Sequence, residues 1–251
     1  MNSNNLEIKK KKVLTFFKEK RFEEALDEGI GLLEERQNDA QLIYVLGLSY
    51  INLQNFVDAE KLFKKLIFIQ KSAENFYTLG NIQKKQKKFK DALESYKEAV
   101  KINPNFSEAY NNLGSTQKSL NKFEKALISY RKAINLKENN VEACYNIASL
   151  YYFLESYNEA SNFYKKITHI QARQEEICER YAICLHKINK RTELKDFVLK
   201  IISKYPRNRV LNNLLGQSLL ALNFHKEGLS YIKKGAGFLQ LNENGIKLLN
   251  E

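Results

Sequence analysis

The chain has little of what disulfide-stabilised, zinc-binding and membrane-spanning proteins depend on. Its 251 residues include only two prolines and three cysteines, and so few prolines leave room for many uninterrupted helices. Cys144, Cys178 and Cys184 are odd in number and form no Cys-x-x-Cys spacing, which argues against a disulfide framework or a zinc knuckle. We interpret them as reduced, buried residues of a cytoplasmic protein.

Long apolar segments are also missing. No apolar run approaches the roughly 20 residues that a membrane-spanning helix needs. The stretch from Val13 to Phe17 is shorter than the central region of a signal peptide, which takes roughly 7–15 residues. We therefore expect a soluble protein that has no membrane segment.

No arrangement of residues predicts catalysis. The three histidines, His169, His186 and His225, lie far apart and belong to no His-Glu-x-x-His pattern. The sequence contains neither a Gly-x-Gly-x-x-Gly nor a Gly-x-x-x-x-Gly-Lys-Ser/Thr segment that could hold a nucleotide phosphate. We predict no catalytic residue, no metal ligand and no cofactor, and therefore no enzyme.

What the chain does have is internal repetition. Leu79-Gly80 recurs as Leu113-Gly114, and the pair Ala92 and Tyr96 recurs as Ala126 and Tyr130, each time 34 residues later. Two sub-patterns with the same period indicate one structural unit that is copied along the chain. The division that fits best makes residues 1–251 a single array with repeats at 6–39, 40–72, 73–106, 107–140, 141–174, 175–208 and 209–237, and a tail at 238–251.

Each unit has the pattern of two antiparallel helices. In the copy from Ser107, Tyr110, Leu113 and Gly114 fall on one helical face, and Asn121-Lys122 predicts the turn. Gly114 and Ala126 are small at the place where paired helices must approach closely. A helix pair of this kind cannot bury its apolar face alone, so the copies are expected to stack.

These positions resemble the tetratricopeptide repeat family. The family's pattern is a large apolar residue, then Leu-Gly or Leu-Ala, Tyr, Ala with an aromatic residue four positions later, and Pro. The resemblance implies an all-α, right-handed superhelical solenoid of about seven antiparallel helix pairs. The chain departs from the family in having no tryptophan at the first large position, and in having Gln83 and Gln117 where tyrosine is usual.

The resemblance also implies a binding surface, because the first helix of each repeat lines the concave groove in this family. The groove positions are occupied here by Tyr77, Asn81, Lys84, Lys85, Asn111, Asn112, Ser115, Lys118, Tyr145, Asn146, Ser149 and Tyr152. Asn112 and Asn146 share one register position and resemble the asparagine ladder of the O-linked N-acetylglucosamine transferase repeats. An exposed helical asparagine without a special role explains them equally well.

The C-terminal tail predicts a different local structure. Gly235 and Gly237 are expected to interrupt the last helix. The runs 238–241 and 246–249 then flank an Asn-Gly pair, which predicts a short β-hairpin cap. The alternative is a final short helix that begins at Gly245.

The leading hypothesis for function is a non-enzymatic scaffold or adaptor that binds a segment of another protein in its groove. A second hypothesis makes the chain the substrate-presenting module of an enzyme system such as a glycosyltransferase. A third uses the net charge of +12 and the lysines between Lys84 and Lys90 to contact a polyanion or nucleic acid. A solvated turn explains that lysine cluster better, since only Phe89 interleaves with it.

Overall fold

The computed structural model describes residues 3–138, 140–171, 173–236, 238–242 and 245–249, with side chains over 5–138, 140–171 and 173–235. Over these residues the chain forms fourteen helices, arranged as consecutive antiparallel pairs, and one two-stranded sheet. The expected all-α architecture is confirmed. The chain divides into two compact units, residues 1–138 and 139–251, and a single continuous array across both stays a prediction.

The first unit contains four helix pairs. Its helices are α1 (Ser3–Lys18), α2 (Phe22–Glu35), α3 (Ala40–Asn52), α4 (Phe56–Ile69), α5 (Ala73–Lys85), α6 (Phe89–Ile102), α7 (Ser107–Ser119) and α8 (Phe123–Leu136). Each helix packs against the next, and the first helices of neighbouring pairs also meet, as α5 and α7 do. The core is therefore a row of contacts along the unit.

The second unit contains three pairs and the strands. Its elements are α9 (Val141–Phe153), α10 (Tyr157–Ile167), α11 (Gln174–Lys187), α12 (Arg191–Ile201), α13 (Arg209–Ala221), α14 (His225–Ala236), β1 (Phe238–Asn242) and β2 (Gly245–Leu249). The strands are antiparallel, with Phe238 opposite Leu249, and lie where the sequence allowed a hairpin. Glu243 and Asn244, in the expected turn, lie outside the described residues.

The expectation that Gly235 interrupts the last helix is wrong. Helix α14 continues through Gly235 to Ala236. A Cβ at Gly235 would lie 2.7 Å from the backbone nitrogen of Asn213 and 2.8 Å from the carbonyl oxygen of Arg209. Glycine stands at this position because α13 approaches closely, a need that outweighs its low helix propensity.

Short polar residues and left-handed turns set the helix ends. Asp39, for example, accepts a hydrogen bond from the backbone nitrogen of Leu42 at the start of α3. Each turn within a pair contains a residue with positive φ, and in the α5–α6 turn this is Lys87 at 61°. The carbonyl of Gln83 then accepts from the nitrogen of Lys88 at 2.9 Å, which closes the helix end.

A small residue on the first helix meets an aromatic ring on the second, sixteen residues later. A Cβ at Gly80 would lie 2.7 Å from the ring of Tyr96, and one at Gly114 would lie 2.8 Å from the ring of Tyr130. Tyr96 and Tyr130 are fully buried. The ring therefore packs directly on the backbone of the first helix and fixes how closely the two helices approach.

The two glutamines that depart from the family pattern are buried and paired. The carbonyl oxygen of Gln83 accepts a hydrogen bond from Ser95 at 2.7 Å, and that of Gln117 accepts from Ser129 at 2.7 Å. In the second unit Tyr151 and Phe163, which are also twelve residues apart, stack with their ring centroids 6.0 Å apart. The glutamine and serine thus replace a stacked pair of rings with a buried hydrogen bond.

Replacing Gly114 with alanine should lower the free energy of unfolding by about 1–3 kcal/mol, because the new methyl group overlaps the ring of Tyr130. The matched control is Gly31→Ala in α2, where a Cβ would meet nothing within 4 Å. That change should stabilise the protein by up to about 1 kcal/mol through helix propensity. Urea denaturation of the three proteins measures both effects, and equal stability of the two variants would contradict the ring contact.

Candidate functional site

In the first unit, the first helices α5 and α7 carry a polar cluster that is completed by Tyr96 of α6. We call Tyr77, Asn81, Tyr96 and Asn112 the asparagine cluster. The carbonyl oxygen of Asn81 accepts from the Tyr96 hydroxyl at 2.7 Å and from Nδ2 of Asn112 at 2.8 Å. The same Nδ2 lies 3.2 Å from the Tyr77 hydroxyl oxygen, to which it donates. Asn112 therefore joins α7 to α5.

This bonding changes how Asn112 can act in a ladder. A carboxamide has two N–H donors and one carbonyl acceptor. Both donors of Asn112 point to partners on α5, at Tyr77 and Asn81. A segment that docks on this surface must use the carbonyl oxygen of Asn112 or displace one of these bonds.

The other groove residues predicted in the first unit differ in exposure. Lys84, Ser115 and Lys118 are half-buried on α5 and α7, and Lys85 is exposed. Asn111 is only 4% exposed and lies in the interior, so its side chain does not form part of the surface. The ring of Tyr77 packs against Phe106, with centroids 4.9 Å apart.

The second unit carries a cationic cluster at the same register. We call Tyr145, Tyr152, Arg173, Glu176 and Arg180 the arginine–tyrosine cluster. The Tyr145 hydroxyl donates to Oε1 of Glu176 at 2.6 Å, and Nε of Arg180 donates to the same oxygen at 3.2 Å. The Arg180 guanidinium lies 5.2 Å from the ring centroid of Tyr152, and that of Arg173 lies 5.4 Å from Tyr145.

The charges in this cluster support one another. The hydrogen bond from Tyr145, with a smaller contribution from Arg180, lowers the pKa of Glu176. Burial, followed by the bond to Glu176, raises the pKa of Tyr145. Glu176 is therefore ionised and Tyr145 is neutral at pH 7, the states in which one accepts and the other donates.

The two remaining predicted residues of this unit lie beside the cluster. Ser149 and Asn146 are half-buried on α9, and the hydroxyl oxygen of Ser149 is 3.1 Å from that of Tyr164. Sequence reasoning missed Arg173, Glu176 and Arg180 as members of the surface. The spacing of Glu176 and Arg180, four residues apart on one helix, was a readable signal for an ion pair.

One of the lysines from 84 to 90, Lys88, is paired with the buried carboxylate of Glu60. Lys88 and Lys64 approach the carboxylate of Glu60 at 2.6 Å and 2.8 Å, although its side chain is only 5% exposed. Gln86 donates to it at 3.0 Å and Gln83 at 3.4 Å. The ion pair with Glu60 reduces the positive charge that Lys88 could offer to a polyanion.

A cleft of about 820 Å³ in the second unit is lined by residues of α10, α11 and α12. Three of its polar side chains are paired with one another. Oε1 of Glu193 lies 2.8 Å from Nζ of Lys165 and accepts a hydrogen bond of the same length from the Tyr181 hydroxyl. Tyr181 and Phe197 meet edge to face with centroids 4.7 Å apart. The cleft is therefore a junction between helices in which Lys165, Tyr181 and Glu193 are bonded to one another.

Other chemistry is sparse in the described part of the chain. There, no three His, Cys, Asp or Glu residues are grouped so as to hold a metal ion. Burial raises the pKa of Cys178 to about 11 and that of Cys184 to about 12, so both are unreactive thiols at pH 7. The described helices are all too short or too polar to cross a bilayer.

Comparison with known proteins matches this geometry to one repeat family. A family model described as a TPR repeat matches residues 80–121, and two models described as tetratricopeptide repeats match residues 107–140 and 141–173. Together they span residues 80–173, which include the asparagine cluster except Tyr77, and the arginine–tyrosine cluster up to Arg173. No curated protein sequence matches the chain.

Solved structures share the fold over most of the chain. The crystal structure of MamA covers 68% of this chain and 94% of its own, with a TM-score of 0.63 and 23% identity. That of YrrB, titled as a TPR protein with an unusual peptide-binding site, covers 66% and 86%, with a TM-score of 0.60 and 23% identity. The C-terminal part of a repeat-containing protein from Cytophaga hutchinsonii covers 93% and 96%, with a TM-score of 0.73 and 17% identity.

The buried carboxylate of Glu60 should make stability depend on pH. Burial raises the pKa of Glu60, but hydrogen bonds from Lys64, Lys88 and Gln83 outweigh it and bring the pKa to about 2. A lowered folded-state pKa contributes stability that is fully present above the unfolded value near 4.5 and is lost as pH falls towards 2. Glu60→Gln should therefore cost about 1–3 kcal/mol at pH 7 and progressively less below pH 4.5.

Urea denaturation between pH 7 and pH 2 measures this difference. Glu94→Gln is the control, because the side chain of Glu94 is 68% exposed and pairs with Lys97 on its own helix. A cost for Glu60→Gln that stayed constant down to pH 2 would contradict the assignment of the charge network.

Replacing Asn112 with alanine should lower the free energy of unfolding by about 1–2 kcal/mol, because Tyr77 and Asn81 lose a donor. Asn135→Ala is the matched control, since Asn135 is exposed on α8. That change should be neutral or slightly stabilising through helix propensity. Denaturation midpoints compare the two, and an Asn112→Ala variant as stable as the parent would show that the bonds to α5 add nothing.

Proposed function

Since the chain belongs to the tetratricopeptide repeat family over residues 80–173, we propose that it is a non-enzymatic scaffold that binds a segment of another protein on the surface formed by its first helices. The partner segment would lie across the groove residues of each unit. The proposal includes a cytoplasmic location, in keeping with three free cysteines.

The observation that carries the proposal is a repeated arrangement on neighbouring first helices. Tyr77 on α5 contacts Asn112 on α7, and Tyr145 on α9 lies beside Arg180 on α11, which shares the carboxylate of Glu176 with it. Each pair is separated by 35 residues, so both units present a tyrosine next to a polar side chain. Tyrosine offers rigid amphipathic area and the neighbour offers hydrogen bonds, which suits recognition of a peptide.

Two further considerations support a binding role. YrrB, which shares the fold, is described as having a peptide-binding site. In addition, the tyrosine hydroxyls and amide groups on this surface are held in place by one another, which reduces the entropy lost when a partner binds. A module that presents substrates to an enzyme would use the same surface, so it is a special case of this proposal.

Selection of a random peptide library on the purified chain tests the proposal. Asn146→Trp on α9 and Ser115→Trp on α7 place a bulky neutral side chain on the first-helix surface. Their matched controls are Asn162→Trp on α10 and Asn135→Trp on α8, where both asparagines are exposed. Thermal melts first verify that all four variants fold.

We expect selected peptides to lose at least about tenfold in affinity, or about 1.4 kcal/mol, with one of the first-helix variants. Their affinity should change by less than about twofold with the controls. Peptides that are lost only with the second-helix variants would show that another face binds, and would reject the proposal.

A further inference from the structure

Cations lie over tyrosine rings along one side of the second unit. Arg173 is placed over Tyr145, Arg180 over Tyr152, and Lys187 over Tyr157, at 5.4, 5.2 and 5.9 Å from the ring centroids. A cation over the face of an aromatic ring is attracted by its quadrupole and is held in a restricted position. Each of the three positive charges is therefore held over the ring of a tyrosine.

Two donors in this region already converge on one carboxylate. The Tyr145 hydroxyl and Nε of Arg180 both donate to Oε1 of Glu176, at 2.6 Å and 3.2 Å. A guanidinium has five N–H donors in a planar fork that matches a carboxylate. Arg180 can thus bind a second carboxylate while it keeps Glu176 through Nε, or exchange Glu176 for it.

From this geometry we propose that the arginine–tyrosine cluster binds an acidic peptide segment, rich in Asp or Glu, of a partner protein. Arg180 receives a carboxylate of the segment, Arg173 and Lys187 supply positive charge on either side, and the tyrosine rings contact its backbone. Glu176 acts as an internal carboxylate that the segment competes with. This inference rests on the proposed function and specifies the chemistry of the partner.

Charge complementarity selects an acidic partner. Three cations and one carboxylate, Glu176, meet on this side of α9, α10 and α11. Two other carboxylates of α11, Glu175 and Glu179, accept hydrogen bonds from Asn208 at 2.8 and 3.2 Å. Glu142 is exposed in the first turn of α9. The bonds to Asn208 place Glu175 and Glu179 towards the start of α13, and Arg173, Arg180 and Lys187 against Glu176 and Glu142 leave one net positive charge on the cluster side.

A nucleic acid fits this surface less well than a peptide. Binding of single strands relies on aromatic faces that are open for stacking by bases. Here a cation lies over a face of Tyr145, Tyr152 and Tyr157.

The asparagine cluster of the first unit carries no positive charge. Its members are neutral, and Asn112 stands at the register position that Arg180 holds in the second unit. An acidic segment is therefore assigned to the second unit alone.

Fluorescence anisotropy with the full chain tests the inference. The probes are a labelled peptide of alternating Glu and Ser, the same peptide with Gln for every Glu, and a labelled single-stranded RNA. Arg180→Gln removes one charge from the cluster. Arg207→Gln, at an exposed position in the loop after α12, removes the same charge elsewhere in the unit.

The acidic peptide should bind at least about tenfold more tightly than its Gln counterpart. Arg180→Gln should weaken it by at least about tenfold, and Arg207→Gln by less than about twofold. Glu176→Gln should tighten the acidic peptide, because the competing carboxylate is gone. Arg173→Gln provides a second loss variant if Arg180→Gln unfolds.

Equal losses for Arg180→Gln and Arg207→Gln would show attraction to net charge alone and overturn the inference. So would absence of binding by the acidic peptide, or RNA binding that Arg180→Gln abolishes. If library peptides bind the first-helix surface but are neutral and insensitive to Arg180→Gln, the proposed function stands and this inference fails.

Discussion

The contact on which the rest depends joins a small residue of a first helix to a ring of the second helix. Gly47 meets Phe63, Gly80 meets Tyr96, and Gly114 meets Tyr130, each too closely for a Cβ without displacement. Because the ring lies on the backbone, it sets both the distance and the rotation of the two helices. Each residue of the repeat is thereby assigned to the core or to the surface.

The packing of each helix pair also decides which residues form the candidate site. With the first helices held at one rotation, a tyrosine of one repeat and the residue 35 positions later face each other across neighbouring helices. In the first unit the result is an amide that donates to Tyr77 and Asn81. In the second it is a guanidinium beside Tyr145 and Glu176. The same pair of register positions thus carries two different chemistries.

The sequence predicts the helix pairs well because the spacing of Leu79-Gly80, Tyr96 and their copies reflects packing directly. It predicts individual bonds poorly, because these depend on which rotamer a side chain adopts among several partners. Asn112 was readable as a polar surface residue, but its use of both donors on α5 was not. Likewise, Lys87 at φ 61° carries no glycine signal for its turn, and Asn111 is buried.

The contrast between core and surface positions explains how such a scaffold can change its ligand without loss of the fold. Gly80 and Gly114 are buried against rings, so substitution there costs packing energy. Asn112 and Arg180 are half-buried, and the core contacts do not involve them. Replacing an amide with a guanidinium at this surface position therefore alters charge and hydrogen bonding without changing a core residue. This chain already has both kinds of residue at that register position, an amide at Asn112 and a guanidinium at Arg180.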